Sequence, residues 1–135
     1  MHTKPIMACI TAQPHCTEIV KSALKLGKQL NAPVFVVTAL PIKDNANERA
    51  SALKSLNKIS EDCGVKITII YTNTPVLSLA KEAREKNPVH IFIGEDCGFL
   101  KDFRKLYRSS PITMVASGVV CTIPPESDNP QRIVV

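Results

Sequence analysis

No apolar run in this chain approaches the ~20 residues that a bilayer-spanning helix needs, so direct membrane insertion is not expected. Cysteine occurs five times, at Cys9, Cys16, Cys63, Cys97 and Cys121, an odd number without any C-x-x-C pair. That spacing speaks against a disulfide framework or a zinc knuckle and favours reduced thiols. A Gly-x-Ser-x-Gly elbow, a Walker loop and a His-containing metal motif are all missing, so the chain reads as a binding module and not as an enzyme. Strong charge is missing too. The net charge of +5 is scattered, and only residues 101–108 concentrate it, which suits a small anionic ligand better than the broad basic face that duplex DNA asks for. No nucleic-acid partner is expected.

What is present is a chain of 135 residues, 44% hydrophobic and 21% charged, the balance of a globular domain that buries about two thirds of the surface of its unfolded chain. The opening "MHTKPIMACITAQ" carries one lysine and an apolar run broken by Thr11 and Gln13, so it reads as a first strand and not as a signal peptide. A cytoplasmic location is the expectation.

Strand and helix patterns alternate along the chain. "IMACITA" is a strand, and "CTEIVKSALKLGKQLN" places Ile19, Val20, Ala23, Leu24, Leu26 and Leu30 at helical spacing. "APVFVVTALP" is a second strand, followed by a helix over about residues 47–62 with Ala50, Leu53, Leu56 and Ile59 on one face and Gly64 as its stop. After the strand "VKITIIYTN", Thr74 or Asn73 caps a helix that has Pro75 in its first turn and turns Leu77, Ala80 and Ala83 inward. "VHIFIG" and "PITMVAS" are the fourth and fifth strands, with the basic helix "FLKDFRKLYRSS" between them. Apolar runs without alternation are strands covered on both faces. The expected fold class is therefore α/β, a three-layer open parallel sheet of five strands in the order 3-2-1-4-5 with helices on both faces. Residues 1–118 form the domain, and residues 119–135, which include "IPPESDNPQRIVV" with its three prolines, are expected to be a flexible tail.

In such a sheet a ligand lies beyond the carboxyl ends of the strands where their order reverses, here at the loops "TAQPHC" and "GEDCG" after the first and fourth strands. The register of "PIMACITAQPHCTEIVKSALKLGKQLNAPVFVVTAL" followed by "LAKEAREKNPVHIFIG" resembles the universal stress protein family, and in particular the version found in osmosensitive potassium sensor histidine kinases. The resemblance spans about residues 4–117, and its most specific parts are "CITAQP" and "AREKNPVHIFIG". It implies a nucleotide-alpha-hydrolase-like fold and a homodimeric regulatory domain. Some members bind ATP and others do not, and some sensor-kinase versions bind a cyclic dinucleotide.

Carried over position by position, the family pattern meets departures. Nucleotide-binding members have an acidic residue at the end of strand one, where this chain has Ala12 and Gln13. Their fourth strand is followed by glycine, two residues, glycine, nine residues, then glycine and serine. Here Gly94 is followed by Cys97 at the second glycine position, and Gly98 with Phe99 stands where Gly-Ser would open the last helix. The two small hydroxyl residues of the cyclic-dinucleotide pattern correspond to Thr11 and Gln13, and its Phe-Thr-Ala stretch to Val34, Phe35 and Val36. If an adenine nucleotide such as ATP is the cofactor, Thr11, Ala12 and Gln13 take the base and ribose side. Gly94, Gly98 and Phe99 take the phosphate side, where helix amides favour an anion while Glu95 and Asp96 repel one.

Three further features bear on function. Lys101, Arg104, Lys105 and Arg108 recur at helical spacing as a basic stripe, opposite Leu100, Phe103, Leu106 and Tyr107; the stripe reads as a solvated face, or as a surface for an acidic partner or for nucleotide phosphates reached from the side. His15, Cys16, Asp96 and Cys97 converge at the two loops, a set able to bind zinc but foreign to the family pattern, and no metal is assigned to it. His90 reads as a strand-rim residue, Cys9 and Cys63 as packing. The reading is a regulatory domain that dimerises through strand 112–117, an edge that would otherwise invite pairing. Its alternatives are a ligand-free interaction domain belonging to a sensor kinase or transporter, and a slow nucleotide hydrolase.

Overall fold

A computed structural model of the chain describes residues 4–11, 16–42, 46–94, 99–116 and 119–125, with 116 and 119–123 described through their backbone. The element order is β1 (Ile6–Cys9), α1 (Cys16–Leu30), β2 (Val34–Leu40), α2 (Ala46–Cys63), β3 (Ile67–Tyr71), α3 (Pro75–Lys86), β4 (His90–Gly94), α4 (Phe99–Leu106), β5 (Ile112–Ala116) and β6 (Val119–Ile123). Five parallel strands lie in the expected order β3-β2-β1-β4-β5.

The central strands are buried on both sides because their sequences are apolar at every position. Ile6 and Ala8 of β1 pack with Ile19, Val20 and Ala23 of α1 and Leu56 and Ile59 of α2. Met7 and Cys9, on the opposite face, pack with Leu79, Ala80 and Ala83 of α3 and Phe103 and Tyr107 of α4. Each crossover helix therefore lies where right-handed connections put it, and the two halves of the sheet are wound onto opposite faces. Gly27 lets α1 approach β2 closely: a Cβ there would stand 2.9 Å from the Ala32 carbonyl oxygen and 2.9 Å from Val34 Cγ2. The stop expected at Gly64 is present, with φ of +66°.

Several expectations are corrected. Leu30 and Leu77 are 53% and 49% exposed, and Ala50 is exposed as well. Leu30 is the last residue of α1, and the pitch of α3 turns Leu79 inward in place of Leu77. The larger correction is at the C-terminal end. Residues 119–123 are not tail: they form β6, antiparallel to β5 from Ala116↔Val119 to Ile112↔Ile123. "VVCTI" is a β-branched run, and only Ser117 and Gly118 separate it from β5, a short Gly-containing link of the kind that joins hairpin strands. Strand 112–117 is consequently not an open edge, because β5 is hydrogen-bonded to β4 on one side and to β6 on the other. The remainder of the expected tail, 126–135, lies outside the described residues.

Candidate functional site

The order reverses between β1 and β4, which neighbour one another at the centre of the sheet while their helices lie on opposite faces. Cys9 pairs with Ile93, so Ile10 and Gly94 stand side by side one rung further on, and Thr11 follows at the rim. Of the six expected contact residues, Thr11 and Gly94 are thus brought to the same end of adjacent strands, with Phe99 opening α4. Ala12, Gln13 and Gly98 lie outside the described residues, as do His15, Asp96 and Cys97 of the convergent set.

Local chemistry defines what each described residue offers. The Thr11 N–H donates to Cys16 Sγ at 3.4 Å, and Thr11 Oγ1 meets the same sulfur at 3.4 Å, closing the loop onto the first residue of α1. Thr11 is exposed and Cys16 is buried. At Gly94 an added Cβ would come within 3.0 Å of Ile19 Cδ1, so the backbone there passes close under α1. The Phe99 ring packs on the α3/α4 core and stacks on Phe103, with centroids 5.3 Å apart. What Phe99 presents to the crevice is therefore its backbone at the start of α4.

One polar residue of this region escaped the sequence reading. Thr38 lies on β2 one rung beyond the Cys9–Val37 pair, on the face of Val36 and the α1/α2 core. It is 1% exposed, and its Oγ1 finds no hydrogen-bond partner among the described residues. Sequence gave no sign of this, since a threonine inside an apolar strand is usually read for its β-branching.

The basic stripe of α4 is corrected. Lys101 and Lys105 are exposed, but Arg104 is 7% exposed, with Nη1 donating to the Ser110 carbonyl and Nη2 to the Pro124 carbonyl, each at 2.8 Å. A guanidinium with a planar fork can serve two acceptors at once, and here it joins α4 to the chain that enters β5 and the chain that leaves β6. Leu106, expected in the apolar stripe, is 38% exposed.

Among the described residues no group of three or more His, Cys, Asp or Glu is placed to hold a metal ion. Burial pushes the Cys9 thiol up to about 12, the mark of a packing residue and not of a nucleophile. His90, at the other end of β4, meets Thr113 Oγ1 through Nε2 at 2.6 Å and lies against Phe92, and burial lowers its pKa. A recess of about 700 Å³ lines α2, from Ala50 and Leu53 to Lys58 and Glu61, and no described residue of β1 or β4 contributes to it. No helix among the described residues is long and apolar enough to cross a membrane.

No protein-family model and no curated protein matches this chain. Solved structures do. The universal stress protein from Archaeoglobus fulgidus in complex with dAMP superimposes with a TM-score of 0.66 at 18% identity, covering 84% of this chain and 98% of that one. A protein from the universal stress protein family of Burkholderia pseudomallei gives 0.59 at 16% identity, over 83% of this chain and 96% of that one. A universal stress protein in complex with cAMP gives 0.58 at 12% identity, over 86% and 98% respectively. The chain thus shares its fold with solved universal stress proteins.

Proposed function

We propose that this chain is a universal-stress-protein-like regulatory domain that holds an adenine nucleotide where β1 and β4 end. The observation that supports the reading is the strand order: Thr11 and Gly94 follow the ends of the adjacent strands β1 and β4, where that order reverses, on a fold whose solved counterparts include proteins in complex with dAMP and with cAMP. Gly94 contributes an approachable backbone, and the start of α4 at Phe99 contributes amides suited to an anion. Thr38, on the neighbouring strand, adds a buried hydroxyl with no hydrogen-bond partner among the described residues. The acidic partner that nucleotide-binding relatives place after strand one is replaced by Ala12 and Gln13, so the reading favours a ligand held mainly through backbone groups. Signalling by the bound state, and not turnover, is the activity proposed. In sequence the chain resembles the version of the family in osmosensitive potassium sensor kinases, and a regulatory role of that kind is the one proposed.

A second reading, a ligand-free interaction domain, draws on the Thr11–Cys16 contact and the inward ring of Phe99, which use part of the crevice's polar and aromatic capacity internally. Self-association belongs to both. With β5 enclosed, a second copy meets either the outer side of β6 or a β5 that β6 has left.

Melting temperature with and without millimolar ATP-Mg, cAMP and cyclic di-AMP separates the readings. Any nucleotide bound by the native state raises it through mass action. No rise with any of the three supports the interaction domain, and phosphate release above a protein-free blank is what a hydrolase requires.

A further inference from the structure

Charge that is scattered along the sequence becomes one-sided in the fold. Parallel strands joined by helices place the strand starts and the helix ends together, at the end of the sheet opposite Thr11 and Gly94. Among the described residues, the exposed charges at this amino end are Lys4, Lys28, Lys66, Arg84, Lys86 and Lys105 against Glu61, Asp62 and Glu85. The bases in the last turns of α1, α3 and α4 answer the negative ends of those helices. Lys4 and Lys66 do not: they stand on the chain entering β1 and β3, so the positive excess goes beyond what helix ends call for.

Large apolar side chains project from the same end. Leu30, 53% exposed, closes α1; Val89, 38% exposed, precedes β4; Leu106, 38% exposed, closes α4. Val89 lies beside the chain that carries Lys4, because its N–H donates to the Pro5 carbonyl at 2.9 Å. The α1 helix packs on one face of the sheet and α4 on the other, so the three side chains belong to three layers, helix, sheet and helix. A single strand or helix of a partner protein touches along a line. A surface that meets all three layers at once is broad and flat, and lysines beside apolar side chains suit it, since their stems lie along apolar matter while the ammonium groups reach a polar layer.

We propose that the amino end of the sheet docks on the surface of an anionic lipid bilayer, with Leu30, Val89 and Leu106 entering the headgroup layer and the surrounding lysines meeting lipid phosphates. Docking of this kind is peripheral and needs no spanning helix. Lysines near an anionic leaflet supply a salt-sensitive attraction, and the apolar side chains supply a part that salt does not screen. The strand ends proposed to hold a nucleotide face away from the bilayer, so the two ligands do not compete. The inference is independent of the nucleotide reading, and neither result decides the other.

The full chain is sedimented at physiological salt with vesicles of phosphatidylcholine, and with vesicles of equal parts phosphatidylcholine and phosphatidylglycerol. Binding to the mixed vesicles alone is expected. Lys4→Glu with Lys28→Glu and Lys105→Glu should weaken it about a hundredfold or more; Lys86, held over the Phe35 ring at 4.8 Å, is left in place. Lys54→Glu with Lys81→Glu and Lys101→Glu makes the same change of charge away from that end and should cost less than about fivefold. Leu30→Gln with Leu106→Gln alters exposed side chains and should cost about tenfold. No binding to the mixed vesicles overturns the proposal, as do equal losses in the two glutamate sets or indifference to the leucine pair. Without vesicle binding, lysine-dependent binding of poly-L-glutamate assigns the face to an acidic polypeptide, and self-association lost in the leucine pair assigns it to a second copy; either result overturns the proposal too.

Discussion

The Tyr107 hydroxyl and Ser110 Oγ lie 2.7 Å apart inside the protein, and the serine in turn donates to the Pro88 carbonyl. The chain from α4 through Ser110 to the entrance of β4 is thereby held by side-chain bonds where the backbone has left regular structure. Ser110→Ala leaves a buried phenol and a buried carbonyl without this partner, at a cost of about 1–3 kcal/mol. Tyr107→Phe removes one donor and leaves Ser110 still bonded to Pro88, at about 1 kcal/mol. Urea unfolding of the two variants should rank Ser110→Ala as the more damaging.

Gly27 and Gly94 should respond differently to alanine. A Cβ at Gly27 meets backbone, the Ala32 oxygen at 2.9 Å, as well as Val34 Cγ2 at 2.9 Å. Overpacking there outweighs the gain in helix propensity and costs about 1–2 kcal/mol net. At Gly94 the contact is the far end of the Ile19 side chain at 3.0 Å, which can turn away, so the change stays within about 1 kcal/mol. Chemical denaturation checks both, and a folded Gly94→Ala chain then serves to test binding.

Thr38→Val replaces a buried hydroxyl that has no partner among the described residues by a methyl group of similar shape. The variant should gain about 1 kcal/mol, because an unsatisfied buried hydroxyl forfeits its hydration without compensation. Denaturation midpoints decide it. If Thr38 contacts the nucleotide, the same variant loses nucleotide-induced stabilisation while becoming more stable alone.

His90 gives stability a pH dependence of known sign. Burial lowers its folded-state pKa below the ordinary value of 6.5, so the unfolded chain takes up the proton first as pH falls. The contribution of the neutral imidazole is present above that ordinary value and is lost as pH falls through the lower, folded one. Melting temperatures measured from about pH 8 down to pH 5 should show this decline in the unaltered chain and a shallower one in His90→Gln.

The sheet order and the faces of its central strands were legible because unbroken apolar runs such as "IMACITA" and "HIFIG" have one stable setting, between two helical layers. β6 was not read as a strand because prolines 124 and 125 directly follow "VVCTI", and the breaker signal masked the short link at Ser117–Gly118. Arg104 was misplaced for a different reason. Its helical spacing with Lys101 and Lys105 suits a solvated stripe, and the carbonyls of Ser110 and Pro124 that draw it inside are backbone groups, invisible to a side-chain pattern. Topology alone puts Thr11 and Gly94 at the ends of β1 and β4, whereas the inward turn of Phe99 depends on its stacking against Phe103.

The central claim is an adenine nucleotide at the ends of β1 and β4, and amide chemical shifts followed during titration with AMP and ATP-Mg test it most directly. The account predicts saturable shifts that are largest at Thr11, Gly94 and Phe99 and small along the α2 recess from Ala50 to Glu61. Absence of saturable shifts, or shifts centred on α2 with Thr11 and Gly94 unmoved, would contradict it.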